Sequence, residues 1–145
     1  MKYFLASMLF AAADQLSKEA IKRRLPKGEK KRIWGRLFLW HRKNRGLAYN
    51  KLDGERKKVM AASVTAVSAA AAYLLFLVKN GARPLEKLGP ALILGGGLGN
   101  LIDRIRDKEV TDFIYIETDK APIFNLADVT AVLGAVITAV SAIIS

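Results

Sequence analysis

The sequence contains no cysteine and only one histidine, His41. Without cysteine, the chain has no disulfide, no thiolate-bound zinc and no cysteine nucleophile. One histidine is too few for a histidine-rich metal site. A Ser-His-Asp triad would need His41 as its histidine, although His41 lies in a basic loop. Any chemistry must therefore run mainly on carboxylates, and we predict no metal and no other cofactor.

Acidic residues are also scarce, with 13 Asp and Glu against 24 Lys and Arg and a formal net charge of +11. Such a charge is compatible with a soluble nucleic-acid-binding protein. The basic residues are segregated, however: fifteen Lys and Arg accompany three acids between Lys22 and Lys58. Basic loops between nearly uncharged apolar runs are typical of a membrane protein.

The apolar runs predict four membrane-spanning helices. A helix needs roughly 20 mainly apolar residues to cross the hydrocarbon core, and residues 59–78 meet this requirement without a single charge. We predict spans at about residues 3–21, 59–78, 88–103 and 124–144, forming one domain over residues 1–145. The uncharged second span argues against nucleic-acid binding, which would require helices with charged faces.

The first apolar run has an alternative interpretation as a cleaved signal peptide. Lys2, the apolar stretch after it and the small residues 11–13 resemble the parts of such a peptide. The later spans, and the polar residues Asp14 and Lys18, favour a retained helix.

Four spans place both termini on one side of the membrane and the loops of residues 23–57 and 104–123 on the other. In the first loop, residues 37–42 predict a strand, and the stretches "NRG" and "LDG" predict turns. A small sheet on the membrane surface, with Trp34 and Trp40 at the interface, would suit this composition. A basic loop touching anionic headgroups is the alternative.

Polar side chains gather at the membrane face shared by these loops. They are Asp14, Lys18, Asn44, Asn100, Asp103, Arg104, Asp112, Asn125 and Asp128. Several of these residues also have a purely structural explanation. Asp128 could cap a helix, and Asp103 and Arg104 could form a snorkelling pair at the interface. Asp14 and Lys18 could form an i, i+4 ion pair on a helix surface. Ionisable groups at membrane depth are usually functional, and their convergence at one face favours a site.

Asp112 and Asp128 are the candidate catalytic pair. Two carboxyl groups close together in a partly dehydrated site share one proton near neutral pH. Such a pair suits peptide hydrolysis, because the ionised group activates water and the protonated group polarises the scissile carbonyl. Arg104 and nearby amides would orient the pair or stabilise the oxyanion.

The run "GGGLGN" contains Gly95, Gly96, Gly97 and Gly99. It lacks the last glycine of a dinucleotide-binding fingerprint, and no strand precedes it. We predict that these glycines let a neighbouring helix or a substrate helix approach closely.

Five ordered motifs resemble the bacterial lipoprotein signal peptidases, also called signal peptidase II. They are "DQLSK" (14–18), "NRGLAYN" (44–50), "GGGLGNLIDRI" (95–105), "VTDFIYI" (110–116) and "FNLADV" (124–129). The resemblance covers nearly the whole chain and implies an all-α membrane protein, with four transmembrane helices and a small extracytoplasmic β-sheet from the first large loop.

The resemblance also implies an activity, a membrane aspartic endopeptidase. The enzyme would cut diacylglyceryl-modified prolipoproteins immediately before the lipidated cysteine. Asp112 and Asp128 would be catalytic, while the supporting residues would be Asp14, Lys18, Asn44, Gly46, Asn100, Asp103, Arg104 and Asn125. Membrane lipids would surround the enzyme, globomycin-type compounds would inhibit it, and no nucleic acid would bind.

Two features depart from what the resemblance implies. Residues 47–49 read Leu-Ala-Tyr where the family usually has Ala-Ala-Phe, which affects substrate contacts in that loop. The family places the site on the extracytoplasmic face of the bacterial cell membrane, whereas positive-inside counting alone would put the basic first loop in the cytoplasm. A catalytically inactive membrane protein that binds signal or lipidated peptides is the functional alternative.

Overall fold

The computed structural model describes residues 1–46, 54–118 and 121–144. Four helices and four strands make up this part of the chain. The helices are α1 (Lys2–Arg24), α2 (Arg56–Lys79), α3 (Pro84–Asp107) and α4 (Leu126–Ile143). The strands are β1 (Lys30–Trp34), β2 (Leu37–Asn44), β3 (Val110–Ile116) and β4 (Ile123–Phe124). The protein is therefore mostly helical with one small antiparallel sheet.

Each of the four predicted spans corresponds to a helix, with shifted ends. α3 starts earlier than predicted because Pro84 stands in its first turn, where a missing N–H costs nothing. α4 starts later, because Phe124 belongs to β4 and Asn125 caps the helix. By length and composition, α2 and α4 can cross a membrane.

α3 is the central helix and packs against each of the other three. The core between α2 and α3 contains Leu74, Ala91 and Leu94, with Tyr3 and Phe4 of α1 packed against it. Large apolar side chains elsewhere face outward, among them Leu9 and Val132, which are 62% and 63% exposed. The helices thus carry apolar surface on the outside as well as in the core.

The glycines of α3 make this packing possible, as predicted. A Cβ on Gly95 would lie 2.9 Å from the Ser7 carbonyl oxygen of α1, and one on Gly97 would lie 3.0 Å from the Val67 side chain of α2. A Cβ on Gly96 would collide with the Ala127 carbonyl oxygen of α4. Side chains at these positions would push all three neighbouring helices away from α3.

The sheet has the strand order β1-β2-β3-β4 and is antiparallel throughout. The strand predicted at residues 37–42 is confirmed as part of β2. The prediction that the sheet comes from the first large loop was incomplete, because β3 and β4 come from the second. Residues 110–113 of β3 are all buried, so the strand lacks the alternation of polar and apolar residues that identifies a half-exposed strand.

Part of the first loop falls outside the described residues. This applies to residues 47–49, where the sequence departs from the family pattern, and to most of the predicted "LDG" turn. Of the "NRG" stretch, Asn44 ends β2, and Arg45 and Gly46 follow the strand.

His41 has a structural position rather than a place in a triad. Its ring is 5% exposed, and Nδ1 lies 2.7 Å from the Leu25 carbonyl oxygen. Its backbone N–H donates to the Glu29 carbonyl oxygen and its carbonyl accepts from Gly28. His41 therefore attaches β2 to the end of α1.

Candidate active site

A cavity of about 920 Å³ lies between α2, α3 and α4 and reaches the sheet. Asp112 of β3 and Asp128 of α4 both line it. Small and apolar side chains, including Ala62, Ala66 and Ala131, form its walls between the helices. The two carboxylates predicted as a pair thus share the polar end of one largely apolar cavity.

Asp112 is held within the sheet and is 4% exposed. The Asn44 amide donates to its Oδ2 at 3.1 Å, and the Asn125 amide donates to its Oδ1 at 2.7 Å. Burial, and next the negative charge of Asp128, raise the pKa of Asp112 to about 7. This carboxyl group can therefore hold or release a proton near neutral pH.

Asp128 lies in the first turn of α4, where it forms a capping box with Asn125. The Asp128 N–H donates to Asn125 Oδ1 at 2.9 Å, and the Asn125 N–H donates to Asp128 Oδ2 at 3.1 Å. The cap predicted as the structural explanation for Asp128 is therefore confirmed. Its Oδ1 also accepts from the Asn100 amide at 2.8 Å and its side chain lines the cavity. Capping and a place in the site are thus compatible.

Asn125 connects the two carboxyl groups. Its Oδ1 is taken by the helix cap, so its amide nitrogen must point the other way, towards Asp112 Oδ1 and towards Asn100 Oδ1 at 3.1 Å. Its backbone N–H meanwhile donates to Asp128. One residue, fully buried, therefore positions both members of the pair.

A buried cluster of charged side chains lies behind these amides. The Lys18 ammonium lies 2.7 Å from Asp14 Oδ2 and 3.3 Å from Asp103 Oδ2. It also donates to Asn100 Oδ1 at 2.9 Å. The i, i+4 pair of Asp14 and Lys18 is confirmed, but as a fully buried pair rather than a pair on the helix surface. We call Asp14, Lys18 and Asp103 the ion cluster.

The ion cluster reaches both segments that carry the paired carboxylates. Asp14 Oδ1 accepts from the Ala127 N–H at 2.9 Å, at the start of α4. Asp103 Oδ2 accepts from the Thr111 N–H at 3.0 Å, at the start of β3. The interpretation of Asp103 as half of a snorkelling pair was wrong: its side chain is fully buried and bonds inward, away from solvent.

Arg104 points towards the cavity and lines it. Its Nη2 donates to the Gly46 carbonyl oxygen at 3.0 Å, and its Nη1 lies 3.5 Å from the Asn100 carbonyl oxygen. A cation is thus present near both carboxyl groups. Gly46 takes part through its backbone, since its N–H also donates to Asn44 Oδ1 at 2.9 Å.

Sequence reasoning missed two contributors to the site, Gln15 and Thr111. Gln15 donates to Asp103 Oδ1 at 2.9 Å and to the Gly99 carbonyl oxygen at 3.0 Å. Thr111 contributes its backbone N–H to Asp103, and its carbonyl oxygen lies 3.4 Å from the Asn125 amide. The "DQLSK" motif contained Gln15, but its reach to α3 depends on helix packing that one sequence does not reveal. Within residues 1–46, 54–118 and 121–144, no group of three or more carboxylate and histidine side chains is placed to hold a metal ion.

The fold and site together are those of a mostly helical protein in which Asp112 and Asp128 line one largely apolar cavity. The fold matches a bacterial membrane enzyme solved by the in meso method at 2.3 Å resolution, with a TM-score of 0.87 over 98% of this chain and 87% of that one, at 24% identity. A second such structure, at 1.9 Å resolution, gives a TM-score of 0.83 over 97% of this chain and 91% of that one, also at 24% identity.

Sequence comparison identifies the family. Residues 6–144 match the family described as signal peptidase (SPase) II. The lipoprotein signal peptidase of Moorella thermoacetica is 36% identical over 94% of this chain and 89% of its own length. That of Enterococcus faecalis is 35% identical over 92% of this chain and 83% of its own length. The chain belongs to the signal peptidase II family and is therefore a peptidase.

We predict that Lys18→Met destabilises the protein by about 3–5 kcal/mol, because it leaves the buried Asp14 and Asp103 without a countercharge. Lys22→Met is the matched control, one turn further along α1. Lys22 Nζ lies 2.6 Å from Asp107, but both side chains are partly exposed, so this change should cost less than about 1 kcal/mol. Denaturant unfolding in detergent, followed by circular dichroism, measures both. Equal losses would show that the ion cluster is no more than an ordinary ion pair.

Proposed function

We propose that this protein is a membrane aspartic endopeptidase that removes the signal peptide from diacylglyceryl-modified prolipoproteins, cutting before the lipidated cysteine. The observation that carries this proposal is the position of Asp112 and Asp128, which line one cavity and bond to the same Asn125. The relatives at about 35% identity are named lipoprotein signal peptidases, which supports the substrate class.

In this mechanism the two aspartates share one proton. The ionised carboxylate takes a proton from water, and the resulting hydroxide attacks the scissile carbonyl carbon. The protonated partner donates a hydrogen bond to the carbonyl oxygen, on which negative charge develops. When the C–N bond breaks, the leaving nitrogen takes up the proton that came from water. The first carboxyl group is then ionised again, and its partner still holds the shared proton.

The remaining polar residues would support this chemistry. Arg104 lies where its charge would favour an anionic tetrahedral intermediate. Asn44, Asn100 and Asn125 donate to the carboxylates and so hold their oxygens in place. Asp14, Lys18 and Asp103 act through these residues, since they hold Asn100 and the starts of α4 and β3, and the Gly46 backbone links Asn44 to Arg104. Globomycin-type inhibitors would compete for the same cavity.

We also infer that all four helices cross the bilayer as one domain and that α1 is retained. α1 and α3 have 23 and 24 residues, enough to span roughly 30 Å of hydrocarbon. Their charged side chains within the bundle, Asp14, Lys18 and Asp103, are buried against one another. Because α1 contributes to the ion cluster, its removal as a signal peptide would dismantle the site.

We predict that Asp112→Asn and Asp128→Asn each abolish cleavage while the helical content is retained, because an amide can neither accept the proton from water nor hold the acidic proton that the pair shares. The assay is cleavage of a diacylglyceryl prolipoprotein in detergent or lipid. Glu117→Gln, just beyond the end of β3, removes a carboxylate that pairs with Lys30 instead and should leave activity unchanged. Full activity in either Asn variant would refute the catalytic pair.

The pKa of Asp112 leads to a prediction about pH. Above about pH 7 the pair loses its shared proton, so kcat/KM should fall as the pH rises through that value. The Asn44 hydrogen bond favours the ionised carboxylate and lowers this pKa. Asn44→Ala should therefore raise the pKa and move the alkaline limb to higher pH, whatever its effect on the maximal rate.

Asn80→Ala is the control for the pH profile, since the exposed Asn80 amide donates to the Phe76 carbonyl oxygen at the end of α2, outside both cavities. Its profile should match that of the wild type. An alkaline limb that stays in place in Asn44→Ala, or moves to lower pH, would contradict the assignment of that limb to Asp112.

We propose that the sheet and the catalytic pair face the extracytoplasmic side of a bacterial cell membrane. Because the natural chain has no cysteine, a single cysteine introduced by Lys31→Cys on β1 reports its side without background. We expect an impermeant maleimide to label it from outside intact spheroplasts, with Lys87→Cys at the start of α3 labelled only after lysis. The reverse pattern would show that the positive-inside count, and not the family, sets the orientation.

A further inference from the structure

A second cavity, of about 680 Å³, opens beside Asp112. Its described lining residues come from the sheet and its connections and not from any helix. Four of them are cations, Lys27, Arg42, Lys43 and Arg45. We call this cavity the basic groove.

The basic groove adjoins the apolar cavity. Asn44, Asp112, Pro122 and Ile123 line both. A chain passing through the site would therefore meet small and apolar helix residues on one side of Asp112 and cations on the other. The apolar cavity therefore suits an apolar peptide segment, and the basic groove suits an acidic one.

The positive charge of the groove is only partly neutralised. Arg45 Nε lies 3.3 Å from Glu109, and Lys43 Nζ lies 3.8 Å from Asp107 and 4.0 Å from Glu109. Lys27 and Arg42, both exposed, form no ion pair with a carboxylate in the part of the chain that the structure describes. The Arg42 guanidinium lies 5.2 Å from the centre of the Trp40 ring, and this contact restricts the conformations of the Arg42 side chain.

Arg42 is also placed close to the chemistry. It is the cross-strand partner of Asp112, and such partners extend from the same face of a sheet, roughly 5 Å apart. A substrate in extended form advances about 3.3 Å per residue. Side chains two to four residues beyond a bond held at Asp112 would thus come within reach of Arg42 and Lys27.

We propose that the basic groove binds the substrate residues that follow the scissile bond and selects acidic side chains among them. The inference rests on the proposed function and extends it to specificity. The apolar signal segment would occupy the cavity between the helices, which leaves the groove as the path for the segment beyond the bond. Arg42 and Lys27 would be specificity-determining residues that take no part in the hydrolysis.

The experiment compares three diacylglyceryl-modified precursor peptides that differ only at the second to fourth residues after the scissile bond, carrying Glu, Gln or Lys. Cleavage is measured as kcat/KM in a neutral detergent at low salt. We expect the Glu peptide to exceed the Gln peptide about three- to tenfold, as for two partly exposed ion pairs, with the Lys peptide slowest. The order should flatten at high salt.

Variants assign any preference to the groove. In the double variant Lys27→Gln, Arg42→Gln, the Glu to Gln ratio should fall to near one, whereas Arg42→Lys alone should retain most of it. Lys31→Gln is the matched control, since Lys31 lies on the same sheet but outside the groove, and it should keep the full ratio.

Equal cleavage of the three peptides, or a ratio that the double variant leaves intact, would show that the basic groove does not select acidic side chains. Neither result would contradict the assignment as a peptidase. Acceleration of all three peptides alike by added phosphatidylglycerol, lost in the double variant, would assign the groove to lipid headgroups and overturn the proposal. Failure of the wild type to cleave any of the peptides would instead contradict the proposed function. The proposed role of the groove in substrate binding would then be contradicted as well.

Discussion

The buried ion cluster of Asp14, Lys18 and Asp103 is the interaction on which the site depends. Three ionisable groups buried within a helical bundle lose their hydration, and the loss is tolerable only if each keeps close partners. Lys18 lies between the two carboxylates, and the carboxylates accept backbone N–H groups from Ala127 and Thr111. Those hydrogen bonds locate the two segments that carry Asp112 and Asp128.

The cluster controls the paired aspartates through amides rather than by direct contact. Lys18 takes the oxygen of Asn100, so the Asn100 amide nitrogen faces Asp128. The cap of α4 takes the oxygen of Asn125, so the Asn125 amide nitrogen faces Asp112. Each asparagine therefore has one allowed orientation, and the carboxylates receive donors that were positioned before any substrate arrives.

The glycines of α3 are part of the same design. A Cβ on Gly99 would lie 2.5 Å from Asp14 Oδ2, so a larger residue would displace a member of the ion cluster. Gly96 allows α4 to approach at Ala127, whose N–H bonds to Asp14. The same glycines therefore allow the helices to pack closely and keep the polar groups of the site in position.

Much of the site could be anticipated from the sequence. The apolar runs predicted the helices because an uncharged segment of that length is typical of a membrane-spanning helix. Asp14, Asp103 and Asp128 were candidates for the site because acidic residues are rare in such segments. The partners of those acids were harder to predict. The structural alternative for Asp103, a surface pair with Arg104, used a neighbour in sequence, whereas its actual partners come from α1 and β3. β3 was missed because a strand buried along its first half shows no alternation.

By itself, the sequence determined the helical bundle, the carboxylate chemistry and the family, because hydrophobic length and residue type are local properties of the chain. Only the tertiary structure decided that Lys18 joins Asp14 to Asp103, that Asn125 serves both aspartates, and that an apolar cavity and a basic groove meet at Asp112. These are relations between segments as many as 113 residues apart, and their distances arise only when the helices pack and the sheet closes over them.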